Sequence, residues 1–115
     1  MPDECIFCRI IEGEAPAHIV YQDELVTAFQ DIAPKAPIHL LIVPNVHFDS
    51  LNQLNSADIS ILGNLFLVAA RLAAQAGLHE RGYRLVINTG PDAGQSVSHL
   101  HLHLIGGKRM PVFFS

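Results

Sequence analysis

Three histidines at alternate positions, His99, His101 and His103, each followed by leucine, are the residues of this chain best suited to chemistry. Side chains of an extended strand alternate between faces. This spacing therefore gathers three imidazoles on one face and Leu100, Leu102 and Leu104 on the other. A helix would place residues two apart roughly 200° from each other and scatter the rings. Neutral imidazole attacks phosphorus or carbonyl carbon, and its ordinary pKa near ~6.5 leaves it largely unprotonated at neutral pH. The loop of residues 88–96 ends just before these rings. Gly90 and Gly94 let it turn tightly, and its N–H groups, with the Ser96 hydroxyl, suit a phosphate and the oxyanion formed on attack. Cys5 and Cys8 add a second possibility. Their spacing lets two thiolates share one tetrahedral zinc, which still needs two more ligands.

The elements that must position these groups follow from pattern and punctuation. Residues 5–12 read as a short helix ended by Gly13 and Pro16. Residues 19–21 and 25–29 read as two strands of a hairpin around the turn at 22–24. Pro34 and Pro37 mark a loop, and the apolar run 38–43 around His39 reads as a central strand. Residues 57–76 are rich in alanine and leucine, with Asn55 or Ser56 as N-cap and Gly77 just past the end, and read as one long helix. Residues 84–88 and 100–105 supply two last strands. The order predicts an α+β fold with a five-stranded, mainly antiparallel sheet, one long helix and one short. On the long helix Ile59, Leu62, Phe66, Ala69 and Ala73 form one apolar face and Ile61, Leu65, Val68 and Leu72 another. A monomer needs only one such stripe, so the second predicts a subunit interface, by default in a C2 dimer.

Composition narrows the function. Half of the 115 residues are hydrophobic and 16% are charged, which excludes disorder and predicts one domain, residues 1–115. The formal net charge is −4, with no dense run of Lys or Arg, which argues against nucleic acid as a partner. No apolar signal segment follows the acidic start, and the longest apolar stretch, residues 65–70, is far short of a membrane span. A soluble cytoplasmic protein is expected, in which Cys5 and Cys8 stay reduced.

The segment Gly94-Gln95-Ser96-Val97-Ser98-His99-Leu100-His101-Leu102-His103-Leu104-Ile105-Gly106-Gly107 resembles the signature of the histidine triad (HIT) superfamily, and specifically its Hint branch. The stretch from Ala28 through Asp31 and Pro37 to His39, then Ile42-Val43-Pro44 and Gly82-Tyr83-Arg84, is similar to that branch in the same order. Leu102 stands where the nucleotidylyltransferase branch carries proline. The diadenosine-polyphosphate hydrolase branch is the alternative, as is a nucleotide- or zinc-binding module with little turnover.

The resemblance implies a homodimer whose two sheets join, and hydrolysis of purine nucleoside 5′-phosphoramidates to the monophosphate and an amine. By position, His101 is then the nucleophile that takes up the nucleotidyl group. His103 bonds a phosphate oxygen or assists the leaving amine, and Ser96 holds the phosphate with backbone contacts from Gly94 and Gln95. Asn88 bonds the ribose or phosphate region, Asp31 and Ile32 hold the nucleoside, and Phe7, Ile10 and Phe29 wall the base. A ribose diol suits a carboxylate acceptor, although an acid capping the turn at 31–33 is what Asp31 alone would suggest. The same resemblance completes a structural zinc site of Cys5, Cys8, His47 and His99, with no cofactor needed for catalysis. His39 is placed near the triad, and His18 and His79 on the surface. Two departures from the branch bear on amine specificity: Ser98 stands where an aromatic residue is usual, and the C-terminal segment 108–115 lacks tryptophan.

Overall fold

Two of the turns that shape the sheet are held by single side chains. Asp23 Oδ1 accepts from the N–H groups of Leu25 and Val26, both at 2.8 Å, and so closes the hairpin between β1 (Ile19–Gln22) and β2 (Val26–Gln30). Asp31 Oδ1 accepts from Ala33 N at 2.8 Å, turning the chain out of β2 toward the proline-marked loop. The computed structural model describes residues 4–112, so the C-terminal residues 113–115 lie outside it.

The remaining elements are α1 (Ile6–Ile11), β3 (Ile38–Pro44), α2 (Ile59–Gln75), β4 (Tyr83–Val86) and β5 (Leu102–Gly106). The five strands form one sheet in the order β1-β2-β3-β5-β4, and every pairing is antiparallel. The α+β architecture expected from the sequence is therefore present, with β1 and β4 as its edges. Asn55 caps a 3₁₀ turn, Ser56–Asp58, that leads into α2, accepting from Ala57 N at 2.9 Å while Asp58 bonds back to Asn55 N at 3.0 Å. At the other end Gly77 takes φ +76°, and Leu78 N bonds Ala73 O at 2.8 Å and Gly77 N bonds Ala74 O at 3.0 Å. This is the 6→1 and 5→2 pair of a Schellman cap, which requires the left-handed residue.

The inward stripe of α2 is Leu65, Val68, Ala69, Leu72 and Ala73, all buried at helical spacing against the sheet. It takes members from both faces drawn from the sequence, and Leu65 lies wholly in the core at 0% exposure. Outward, Ile59 (70% exposed), Leu67 (56%) and Phe66 (39%) remain open. With its leading turn the helix runs Ser56–Gln75, long and apolar enough by length and composition to cross a membrane, contrary to the short span read from residues 65–70. Here five of its residues pack on the sheet instead.

A second correction concerns the histidine segment. β5 begins only at Leu102, so His103 alone of the three lies in the ladder, while His99, at a bend, and His101 precede the strand. The alternation nevertheless holds. Leu100, Leu102 and Leu104 enter the core beneath α2, and the histidines face the opposite side, where Phe7, Ile10, Phe29, Leu41 and Val43 form a smaller cluster under α1. Burial of leucine on one face sets this direction, and it does not need the ladder bonds.

Candidate functional site

His101 is 3% exposed, and its Nδ1 lies 2.7 Å from the His99 carbonyl oxygen. A carbonyl only accepts, so Nδ1 carries the proton and Nε2 keeps a free lone pair. The ring is wedged edge-on against Phe7, centroids 5.2 Å apart, and against His103 at 5.0 Å. Such packing fixes the direction of the lone pair.

His103 is held from behind by His39. Lys35 N donates to His39 Nδ1 at 3.0 Å, so in neutral His39 the proton sits on Nε2. That Nε2 faces His103 Nδ1 at 2.9 Å and Asp31 Oδ2 at 3.3 Å. The shorter contact takes the proton, which leaves His103 with its own N–H on Nε2 as a donor. Desolvation pushes the His103 pKa down to about 4, with His101 and His39 adding to the fall and Asp31 opposing it. Burial lowers His39 as well, again against the pull of Asp31. His103 thus stays neutral in ordinary buffers. His39, which the sequence placed near the triad, is buried and bonded to it. His18 and His79 are exposed, as expected.

The loop expected to meet the phosphate is closed by its own hydrogen bonds. Gly94 takes φ +81°, and its N–H bonds Pro91 O at 3.1 Å, while Gln95 N bonds Gly90 O at 3.1 Å. Both backbone donors assigned to the phosphate are engaged inside the turn. The Gln95 side chain clamps the loop from Oε1 to Gly90 N (2.9 Å) and from Nε2 to Asp49 O (2.7 Å) and Val97 O (2.9 Å). Ser96 is exposed and lines an open depression of about 580 Å³ with Cys5, His47, Asp49 and Ser98. Asn88 is half-buried.

Of the nucleoside residues, Asp31 caps its turn with one carboxylate oxygen, as its position alone suggested, and its other oxygen reaches toward His39. Ile32 is 99% exposed beside it. Phe7, Ile10 and Phe29 do come together, with Phe7 and Phe29 edge-to-face at 5.3 Å, but they are only 3–6% exposed. They form a packed apolar floor under the imidazoles.

Cys5, Cys8, His47 and His99 converge, their ligand atoms all within 4.8 Å of one another. The pairs Cys5 Sγ–His99 Nδ1 (3.3 Å), Cys8 Sγ–His47 Nδ1 (3.3 Å) and Cys8 Sγ–His99 Nδ1 (3.5 Å) approach the ~3.6 Å that bond lengths to a tetrahedral zinc imply. The tautomers agree with that fit. His99 Nε2 donates to Pro44 O at 2.9 Å and His47 Nε2 to Asp49 Oδ1 at 2.8 Å, so both Nδ1 lone pairs face the sulfurs. Burial drives His99 down to about 4 and, together with Cys5, raises Cys8 to about 12. A divalent cation held there would be bound by two thiolates and two neutral imidazoles. Asp49, two residues beyond His47, was not among the residues singled out from sequence, although carboxylate partners of ligand histidines recur at such sites.

Residues 12–110 match the HIT domain family model. The chain belongs to the HIT family. It is 49% identical over 108 residues to the purine nucleoside phosphoramidase of Escherichia coli strain K12, covering 94% of this chain and 91% of that one. Among solved structures, a HIT family hydrolase from Legionella pneumophila Philadelphia 1 superposes with a TM-score of 0.92 at 47% identity, over 94% of this chain and 96% of the other. A zinc-bound histidine triad family protein from Mycobacterium smegmatis superposes with a TM-score of 0.78 at 35% identity, over 90% and 75%.

Proposed function

We propose that this HIT protein is a hydrolase that cleaves purine nucleoside 5′-phosphoramidates, yielding the nucleoside monophosphate and an amine. The observation that carries the reading is the His101 Nδ1–His99 O bond, which leaves Nε2 bare beside the His103 N–H donor. The likeness to the E. coli phosphoramidase supports the substrate class. His101 Nε2 attacks phosphorus and the P–N bond breaks. The amine departs with one proton taken from solvent, and the His99 carbonyl stabilises the resulting imidazolium. His103 Nε2–H bonds the charge developing on a phosphoryl oxygen. Water then attacks the nucleotidyl-histidine, releasing the monophosphate and a proton and restoring neutral His101. Asp31 accepts from the ribose hydroxyls, Ser96 and Asn88 donate to the phosphate region, and Phe7 and Phe29 support the base from below.

Cys5, Cys8, His47 and His99 fit a structural zinc, and we assign them that role. Four protein ligands leave no position for a reactive water, so the ion when bound supplies cross-linking rather than Lewis-acid chemistry. The open apolar face of α2 and the free edges β1 and β4 support a homodimer, with a nucleotide site in each subunit. A cytoplasmic setting suits reduced Cys5 and Cys8.

The test is a turnover mixture with labelled adenosine phosphoramidate, quenched in mild base to preserve the P–N bond to histidine. Label should remain on wild-type protein and vanish in His101→Ala, whose kcat should fall by several powers of ten. Wild-type turnover in that variant would refute the mechanism.

A further inference from the structure

The pairing of β3 with β5 stops at Ile42 and Leu102, and Pro44, which ends β3, has no N–H to carry it further. The chain leading into β5 is held to the segment after β3 by other bonds. His99 Nε2 donates to Pro44 O at 2.9 Å, and Leu100 N donates to Phe48 O at 2.7 Å. The tie farthest from the ladder is a side chain. Gln95 Nε2 donates to Asp49 O at 2.7 Å.

Every polar atom of the Gln95 amide is engaged. Its Oε1 accepts from Gly90 N at 2.9 Å while its own backbone N–H bonds Gly90 O at 3.1 Å, so Gly90 is pinned through both of its polar groups. The two hydrogens of Nε2 go to Asp49 O and to Val97 O, the latter at 2.9 Å. Turning the amide over would set its oxygen against two carbonyls, which fixes the orientation. On the far side Val97 packs against the apolar cluster under α1. Ser96 thus stands between two tethered residues. It is itself exposed, and its hydroxyl bonds none of the described residues.

We infer that Gln95 is a positioning residue that acts through Ser96, its side chain hanging the phosphate end of the loop on the Asp49 carbonyl. The inference rests on the reading that Ser96 meets the phosphate of the nucleotide. A serine hydroxyl sits one bond from Cβ, so the backbone decides what it reaches. A loop ordered before the ligand arrives also removes the ordering entropy from binding. Asp49 serves twice, with its carboxylate on His47 and its carbonyl on Gln95, so one short stretch steadies both the Cys5–His47 cluster and the phosphate loop. The partners of the Gln95 side chain are Gly90, Asp49 and Val97, none of them assigned to the nucleoside. Its influence therefore belongs to ligands that carry a phosphate.

Calorimetric titration of the full-length protein with AMP and with adenosine, in a double-mutant cycle of Gln95→Met and Ser96→Ala, tests it. Ser96→Ala should weaken AMP binding about tenfold, the effect of losing one bond to a charged phosphate. Gln95→Met should weaken it by about tenfold or more, and adding Ser96→Ala to that variant should weaken it less than about twofold further. Adenosine, which has no phosphate, should bind every variant as it binds wild type. Gln95→Ala provides a second variant, should Gln95→Met weaken adenosine. Losses that multiply, to about a hundredfold in the double variant, would overturn the proposal. So would unchanged AMP affinity in both Gln95 variants, or adenosine weakened as much as AMP in both, since the side chain would then only support the fold. AMP affinity untouched by Ser96→Ala would take the serine out of the phosphate site and the proposal with it. Failure of the wild type to bind AMP would refute the nucleotide reading itself.

Discussion

One backbone oxygen decides what His101 can do. The His99 carbonyl accepts the Nδ1–H of His101, so Nε2 is the nitrogen that keeps the lone pair the proposed attack would use. His103 gets its donor in the same way, from the chain Lys35 N to His39 to His103. Its depressed pKa has a consequence for stability. The folded-state value of about 4 lies below the ordinary 6.5, so between these limits the unfolded chain binds more protons than the folded one. Stability should therefore be full above pH 6.5 and decline as pH falls toward 4. Urea midpoints measured across that window should fall less steeply for His103→Gln than for wild type. Equal slopes would mean that His103 is not the group being charged.

At the scale of elements, patterning reproduced the order of helices and strands, because alternation and caps are local. Asn55 and Gly77 mark both ends of the long helix by chemistry that a short window contains. The division of α2 into faces was less legible, because nearly every position is apolar and composition then carries no direction. Only the sheet shows that Leu65 points inward and Phe66 outward. The late start of β5 was hidden for the same kind of reason, since alternating leucine and histidine look alike inside and outside a ladder. Within the site, side-chain types revealed the histidines and cysteines. The roles of Asp49, Gln95 and the Pro44 carbonyl depend on contacts between distant segments. These faces predict different outcomes for neighbouring substitutions. Leu65→Ala removes a fully buried side chain and should lower unfolding free energy by about 2–5 kcal/mol in denaturant titration. A loss under ~1 kcal/mol would place Leu65 off the core.

The whole molecule has two features that one chain leaves unfinished. Ile59, Phe66 and Leu67 expose apolar surface on α2, and β4 ends the sheet with an open edge. If a second copy covers them, sedimentation at micromolar concentration should give twice 12.6 kDa, and Phe66→Arg with Leu67→Arg should give 12.6 kDa. A wild-type mass of 12.6 kDa would reject the dimer.

The other feature is the Cys5, Cys8, His47 and His99 cluster, which joins three parts of the chain far apart in sequence. Cys5 caps α1, accepting from Cys8 N at 3.4 Å, so both sulfurs belong to that helix. His47 follows β3, and His99 precedes His101 by two residues. A zinc held there would tie the small helix, the end of the central strand and the His101 backbone together. It would also favour the thiolate of Cys8, whose thiol burial otherwise pushes toward the protonated form. Cys5→Ser with Cys8→Ser should therefore lower the thermal midpoint, while activity falls only modestly, because neither cysteine is among the residues assigned to the nucleotide. Asp49→Ala should weaken zinc retention by about tenfold or more in competition with a chelator, through the loss of its bond to His47 Nε2. Elemental analysis of protein purified without added metal checks the premise. Less than about a tenth of an equivalent of zinc would reject the site, because a closed thiolate–imidazole cluster holds its metal through purification.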